Sequence, residues 1–100
     1  MLIYNTTFLV EDEVCDNFLI WLKESYIPEV EKNGVLMAPR LCKVLSHRDE
    51  GTPYSLQWEV ENSALLHRWH LNQGTQLNEE LVKVFGDKVI GFPTLLEVIE

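Results

Sequence analysis

The sequence predicts an α+β fold in which two helices lie against one face of a four-stranded antiparallel sheet. Residues 54–61 alternate strictly between apolar and polar side chains, which is the period of a strand with one buried face and one polar face. Residues 13–33 and 63–85 carry apolar side chains at helical spacing. Apolar segments near the two ends of the chain, residues 2–10 and 89–99, have the length and composition of further strands.

The first strand and the first helix follow from the local sequence. Residues 2–10 are partly apolar on both faces, which is typical of a central strand covered on two sides. The acidic residues 11–13 favour a helix N-terminus, because carboxylates interact well with its exposed N–H groups. Pro28 is expected to kink this helix or start a fresh turn, and Asn33-Gly34 to end it. Its predicted inner side chains are Val14, Phe18, Trp21, Leu22 and Ser25.

A hairpin follows the first helix. Residues 40–48 are predicted as the second strand, and residues 49–52 as the tip that leads into the strand at 54–61. Asn62 or Ser63 would then cap the second helix, because both side chains can accept a hydrogen bond from its first turn.

The second helix is predicted in two parts. Gly74 interrupts its pattern, Thr75 can cap a continuation, and Gly86 ends it. The apolar positions are Leu65, Leu66 and Trp69 in the first part and Leu77, Leu81, Val84 and Phe85 in the second.

The predicted order β-α-β-β-α-β is the ferredoxin-like arrangement, formed here by residues 1–100 as a single domain. In this arrangement the first and third strands are central and the fourth lies at an edge. Pro93 falls inside the fourth strand, and proline is tolerated mainly at edges because it cannot donate to the ladder. Pro93 therefore supports the edge position that the topology predicts for the fourth strand.

The fourth strand is apolar on both faces, and such an edge strand is a liability unless something covers it. A second copy of the chain is an economical cover, since identical chains meet readily about a two-fold axis. The sequence therefore predicts a homodimer in which two open sheet faces meet. The alternative is that a loop of the same chain covers the apolar side chains of this strand. The side chains concerned are Ile90, Phe92, Leu96 and Val98 on one face and Val89, Leu95 and Ile99 on the other.

Charge and composition exclude several classes of partner. Sixteen Asp and Glu against eight Lys and Arg give a formal net charge of -8, whereas nucleic acid and acidic membrane surfaces need the opposite sign. No apolar run approaches the roughly 20 residues that span a bilayer, and residues 1–7 do not resemble a signal peptide. Two cysteines are too few for a disulfide framework, so the expected location is the cytoplasm.

Polar side chains on three neighbouring strands are the candidate ligand-binding residues. If the apolar side chains of residues 54–61 face the helices, the polar ones between them face the open side of the sheet. In a dimer they would line the space between two sheets, where a small molecule could bind. A solvated face, or a polar dimer seam with hydrogen bonds between subunits, is the alternative. The candidates are Asn5, Thr7, Arg40, Ser55, Gln57 and Glu59.

Histidine and cysteine residues form no complete site in the sequence. His67 and His70 share a helix face, but most metal sites need a third ligand and the spacing implies none. Acidic neighbours oppose ionisation of Cys15, which is predicted to be a packing residue. Cys42 and His47 point to opposite faces of a regular strand. The sequence therefore predicts no metal and no cofactor, and it identifies no catalytic residue.

Five stretches of the chain form a recognisable set: residues 3–8 (IYNTTF), 18–24 (FLIWLKE), 26–28 (YIP), 54–60 (YSLQWEV) and 91–98 (GFPTLLEV). Together they resemble a family of bacterial proteins of about this length that is described only as a domain of unknown function. The layout is also similar to the dimeric α/β-barrel group, which includes cofactor-independent oxygenases, heme-degrading enzymes and proteins without known catalysis. The resemblance implies the fold and no assigned activity, because fold does not transfer function.

The leading function hypothesis is a small dimeric module that binds a small molecule between its sheets, without assigned catalysis. One alternative is a cofactor-independent oxygenase-like enzyme with an inter-sheet cavity near Asn5, Gln57 and Glu59. The other is a protein-interaction domain whose acidic helix face meets a basic partner. An enclosed cavity with a carboxylate or histidine of shifted pKa would favour the enzyme, and the absence of any pocket would favour the interaction domain.

Overall fold

The strands of the protein form one antiparallel sheet with the predicted neighbours. The computed structural model describes residues 1–46 and 51–100. Its strands are β1 (Leu2–Val10), β2 (Met37–Lys43), β3 (Thr52–Val60) and β4 (Val89–Glu97). Their order in the sheet is β2-β3-β1-β4. The first and third strands are therefore central and the fourth lies at an edge, which confirms the ferredoxin-like prediction.

Two helical segments cover one face of the sheet, and each consists of two α-helices joined by a π-helical turn. The first segment contains α1 (Cys15–Trp21), the first π turn (Leu22–Tyr26) and α2 (Ile27–Asn33). The second contains α3 (Ser63–Trp69), the second π turn (His70–Gly74) and α4 (Thr75–Phe85). Short 3₁₀ turns, Asp12–Val14 and Gly86–Lys88, connect them to β1 and β4.

The helical segments end where local chemistry favours it. Asn62 is the N-cap of α3, because its side-chain oxygen accepts a hydrogen bond from the Leu65 backbone N–H at 2.9 Å. Gly34 ends α2 with a φ of +84°, and Gly86 ends α4 with a φ of +62°. Glycine adopts positive φ without the steric cost that a Cβ brings. These three predicted boundaries are confirmed.

The first π turn lies directly before Pro28. Proline has no N–H, so the carbonyl one turn before it loses its helical partner. The Ile27 N–H bonds to the Leu22 carbonyl, five residues back, which is the bond of a π turn. A π turn contains one residue more than an α-helical turn, which changes the faces on which the following side chains lie. Tyr26 therefore packs against the core, while Ser25 is exposed. The prediction of Ser25 as an inner residue was therefore wrong.

The second π turn replaces the break predicted at Gly74. Gly74 is helical and buried, and the Thr75 N–H bonds to the His70 carbonyl. Thr75 Oγ1 donates to the same carbonyl at 2.8 Å, so this side chain does not cap a new helix. A Cβ at residue 74 would lie 2.9 Å from the Trp69 ring. Glycine is therefore present because the indole packs against the backbone at this point.

The hydrophobic core lies between the helical segments and the sheet. The apolar side chains of β3 are buried in alternation, which confirms the period-2 prediction. Val84 is 57% exposed, so its predicted inner position was wrong. The buried row of α4 follows i, i+4 and i+8 spacing and turns away from Val84. The core residues are Phe8, Val10, Phe18, Leu22, Val30, Leu36, Tyr54, Leu56, Trp58, Val60, Trp69, Leu77, Leu81, Phe85 and Val89.

β2 begins and ends earlier than the predicted strand at residues 40–48, since it spans Met37–Lys43. It pairs antiparallel with β3, as a hairpin requires, but it starts at Met37 and bulges at Ala38 and Pro39. Ala38 has a φ of +51° in this bulge. Proline is tolerated here because β2 is an edge strand, so no further strand needs the backbone N–H that proline lacks. Residues 47–50, which include the first half of the predicted tip at 49–52, lie outside the described residues.

Replacing Gly74 with alanine is expected to lower the stability of the protein. Helix propensity alone predicts a gain of about 1 kcal/mol, whereas the clash of the new Cβ with the buried Trp69 ring predicts a loss of about 1–3 kcal/mol. We expect the loss to dominate the free energy of unfolding in urea. The exposed change Gln76→Ala is the control and should have little effect. A stabilised Gly74→Ala protein would show that the indole does not pack against this turn.

Candidate functional site

The open face of the sheet, which the helical segments do not cover, has a polar centre. Asn5 lies opposite Gln57, and Thr7 lies opposite Ser55, in the pairing of β1 with β3. Ser55 Oγ donates to Asn5 Oδ1, and Asn5 Nδ2 donates to Thr7 Oγ1 at 3.3 Å. All four side chains are half-buried. Partial burial strengthens such bonds, which hold these groups in a fixed arrangement.

Arg40 and Glu59 lie at one end of this polar centre. Arg40 is opposite Gln57 in the pairing of β2 with β3. Arg40, Gln57 and Glu59, together with the β2 bulge, line an open concavity of about 310 Å³. The structure thus places all six predicted ligand-binding residues on one face of the sheet. Their part in binding a ligand stays a prediction.

The other half of the open face is apolar. β4 exposes Ile90, Phe92 and Leu96, each by about half of its surface. In the pairing of β1 with β4, Leu9 lies opposite Ile90 and Ile3 lies opposite Leu96. We call these five side chains the apolar strip. The polar pair Asn5 and Thr94 interrupts the strip between Phe92 and Leu96. Exposed apolar side chains grouped on one sheet face are nevertheless typical of an interaction surface.

A second concavity, the groove, lies on the opposite side of the sheet, between β1, β4 and the helices. Its inner compartment, about 360 Å³, is lined from the sheet by Tyr4, Thr6, Phe8, Gly91 and Pro93, and from the helices by Tyr26, Trp69, His70, Gly74, Thr75, Asn78 and Leu81. Its outer compartment, about 580 Å³, shares Tyr4, His70 and Pro93 and adds Ser63, Ala64, Leu66, His67 and Leu95.

Both π turns contribute to the helical wall of the groove. Tyr26 is the last residue of the first π turn, and His70 and Gly74 are the first and last residues of the second. A π turn moves its side chains away from the positions of a regular helix and is frequent at functional sites. The two irregular turns therefore meet at one concavity.

Trp69 is held in place at the groove by contacts on two sides. Its ring packs edge-to-face against Tyr4, with the ring centroids 6.0 Å apart. Its Nε1 donates to Gln73 Oε1 at 2.7 Å, and Gln73 Nε2 donates to the Glu29 carbonyl of the first helical segment at 3.0 Å. Gln73 therefore links the two segments and fixes the indole that forms part of the wall.

The groove has no permanent charge. None of the described residues that line either compartment is Asp, Glu, Lys or Arg. Burial raises the pKa of Tyr26 well above its ordinary value, and the neighbouring Tyr4 adds to this effect. The Tyr26 phenol therefore keeps its proton and can donate a hydrogen bond. Asn78 and Thr6 supply further polar atoms to the inner compartment.

The histidines and cysteines do not form a metal centre in the part of the chain that the structure describes, where no group of three or more His, Cys, Asp and Glu could hold a metal ion. His67 and His70 line the groove. Cys15 packs against the core, with its Sγ 3.6 Å from the Glu11 carbonyl. Cys42 is half-buried in β2.

Among residues 1–46 and 51–100, no helix has the length and apolar character required to cross a membrane.

The groove was not predicted from the sequence. Its polar wall comes from positions far apart in the chain, such as Tyr4, Tyr26 and Asn78, whose meeting depends on how the helices pack. The sequence pattern indicated for His70 either a surface position or an incomplete metal site. Gly74 was the available signal, because a glycine inside a helical pattern marks either a break or a close approach of other groups.

The family of the chain can be stated from its sequence match. A family described as a domain of unknown function, DUF4286, matches residues 1–99. The chain belongs to this family. No curated protein matches this DUF4286 chain. A solved structure, described as the crystal structure of antibiotic biosynthesis monooxygenase, is similar with a TM-score of 0.70 and 14% identity, over 100% of both chains. At this identity the likeness shows the fold alone.

Tyr26→Phe is expected to reduce the loss of stability at alkaline pH. The raised pKa of Tyr26 means that the folded protein keeps a proton that the unfolded chain releases above about pH 10. Stability is therefore intact below that pH and falls as the pH rises further. Removing this group should lessen the fall by up to about 1.4 kcal/mol per pH unit. The free energy of unfolding in urea is measured for the parent protein and for Tyr26→Phe at pH 8, 10 and 11. An identical loss of stability at high pH in the two proteins would contradict the burial of this phenol.

Proposed function

We propose that this DUF4286 protein binds a small organic molecule in the groove. The supporting observation is that apolar walls and a few polar groups from both π turns meet in one concavity. Ligand sites generally have this character, with volumes of roughly 300–1,000 Å³. The two compartments, at about 360 and 580 Å³, fall within that range.

Each wall of the groove offers a different kind of contact. Trp69 and Tyr4 provide aromatic surface, on which a ring or a hydrocarbon chain can pack. Tyr26 provides a hydrogen-bond donor, and Asn78 provides both a donor and an acceptor. Because the Trp69 indole is already fixed by Gln73, binding does not have to pay for ordering it. The arrangement is that of a site largely formed before the ligand arrives.

An oxygenase-like reaction in the same groove is the second candidate function. The fold neighbour is described as a monooxygenase, which supports an organic ligand on this fold but assigns no reaction to this chain. His70, where the two compartments meet, is the lining group best suited to proton transfer. Oxygen uptake that depends on a bound ligand would favour the enzyme, and an unchanged ligand after incubation in air would favour binding alone.

We also propose that the protein is a homodimer in which two open sheet faces meet. A second copy would remove the apolar strip from water, and a chain of 100 residues gains much from such burial. Each subunit would keep its own groove, because the groove lies on the other face of the sheet. The six polar residues of the open face would lie in the seam, where the predicted inter-sheet ligand would also be enclosed.

Blocking the groove is expected to abolish stabilisation by ligands. Asn78 is an exposed residue of α4 that lines the inner compartment, so Asn78→Trp should fill that space without changing the core. Uncharged organic molecules are screened by thermal unfolding, and a ligand at 100 times its Kd stabilises the native state by about 2.7 kcal/mol. We expect the rise in Tm to disappear in Asn78→Trp and to persist in Val82→Trp, an exposed position of α4 outside the groove.

The same screen separates the two candidate places for a ligand. A rise in Tm that survives Asn78→Trp and disappears in Gln57→Ala would place the ligand between the sheets, as the sequence predicted. A rise that survives both changes would contradict both sites.

A charge in the apolar strip is expected to separate the dimer. Phe92 on the open face and Ile20 on the outer side of α1 are each 54% exposed in the single chain, so they form a matched pair. Phe92→Glu would bury an unpaired charge in the dimer, whereas Ile20→Glu would not. Light scattering after size exclusion at micromolar concentration should show a monomer for Phe92→Glu and a dimer for the parent protein and Ile20→Glu. A monomeric parent protein would rule out the dimer.

A further inference from the structure

We infer, on the basis of the proposed function, that the groove is built for one class of ligand: an uncharged, elongated molecule with a polar end in the inner compartment and an apolar body in the outer one. The polar end would be a group such as an alcohol, amide or ketone. The body would be a hydrocarbon chain or a narrow ring system. Three independent features of the groove support this assignment.

The first feature is the length of the groove. The two compartments share Tyr4, His70 and Pro93, so they adjoin at these three side chains. Their helical wall runs from Ser63 at the start of α3 to Asn78 in α4, which is roughly 20 Å of helix. A compact ligand would leave much of this length empty, whereas an elongated one would contact both compartments.

The second feature is a difference in polarity between the compartments. Both mix polar and apolar groups, but the inner compartment has the larger polar share of its surface. Two donors of the inner compartment are already used, because Trp69 Nε1 donates to Gln73 and Thr75 Oγ1 donates to the His70 carbonyl. The Tyr26 phenol and the Asn78 amide supply further donors, and both line the inner compartment alone. The outer compartment contains Ser63 and His67, but most of its surface is apolar. The apolar side chains there are Ala64, Leu66, Pro93 and Leu95.

The third feature is the charge around the ligand. An anion entering the groove would lose its water without meeting a lysine or arginine, since the described lining residues include neither. The net charge of -8 would also oppose its approach. A cation would find no carboxylate among the same lining residues. An uncharged polar group loses least on entering and can be satisfied by one donor and one acceptor.

Ligands with one tail and three different heads test the inference directly. The uncharged dye Nile red reports occupancy of the groove by its fluorescence, and 1-decanol, decanoate and decylamine compete with it at pH 8, below their micelle concentrations. We expect 1-decanol to displace the dye at a concentration at least tenfold lower than either charged compound. A double variant, Asn78→Trp with Leu95→Asp, alters both compartments and should take up little dye, whereas Val82→Trp should behave as the parent protein.

The outcomes distinguish this inference from the proposed function on which it rests. Equal competition by decanoate or decylamine would overturn the uncharged class while leaving the groove as the binding site. Dye uptake that is absent from the parent protein, or unchanged in the double variant, would overturn the groove site and this inference with it.

The length of the ligand has its own test. Four additional methylene groups buried in the outer compartment should make 1-decanol bind roughly tenfold or more tightly than 1-hexanol. Leu95→Asp, which places a charge in that compartment, should remove most of this difference and leave 1-hexanol nearly unaffected. Leu71→Asp is the control, since Leu71 is exposed on the second π turn and does not line the groove. An equal affinity of both alcohols for the parent protein would overturn the elongated class.

Discussion

The burial of one face of β3 under the two helical segments is the constraint on which the rest of the structure depends. Side chains of a strand alternate between its faces, so once Leu56 and Trp58 are buried, Ser55 and Gln57 must face the open side. The pairing of β3 with β1, and of β1 with β4, carries this division across the sheet. One face then holds the core and a wall of the groove. The other holds the polar centre and the apolar strip.

The groove exists because the covered face is not completely filled. On the helical wall, Gly74 lets the Trp69 indole lie against the backbone of the second π turn. On the sheet wall, a Cβ at Gly91 would lie 3.3 Å from the Phe8 ring, so a larger residue would occupy this space or displace the ring. At both glycines an aromatic ring thus lies close to the backbone, and the groove is the unfilled space that remains beside these rings. Unfilled space lowers packing density and reduces stability, and a ligand that fills the groove would offset this loss.

Much of the fold could be predicted because short-range rules determined it. Alternation identified β3, the capping chemistry of Asn62 began α3, and Pro93 placed β4 at an edge. The misplacement of Ser25 came from a π turn, which inserts a residue into the helical period. Alternation also grouped the six polar residues of the open face correctly. The groove could not be predicted, since Tyr26 and its other lining groups come together only through the packing of separate helices against the sheet.

Leu95 and Leu96 offer the most direct test of this division between the two faces. They are adjacent in β4 and almost equally exposed in one chain, at 47% and 45%, but Leu95 lines the groove and Leu96 belongs to the apolar strip. Their methyl signals in NMR spectra, recorded with a neutral paramagnetic agent in the solvent, report which side chain is reached from water. In the proposed dimer the open faces meet, so the account predicts protection for Leu96 and strong broadening for Leu95 in the groove, whereas a single chain would show similar broadening for both. Equal broadening of both, or protection of Leu95 alone, would contradict it.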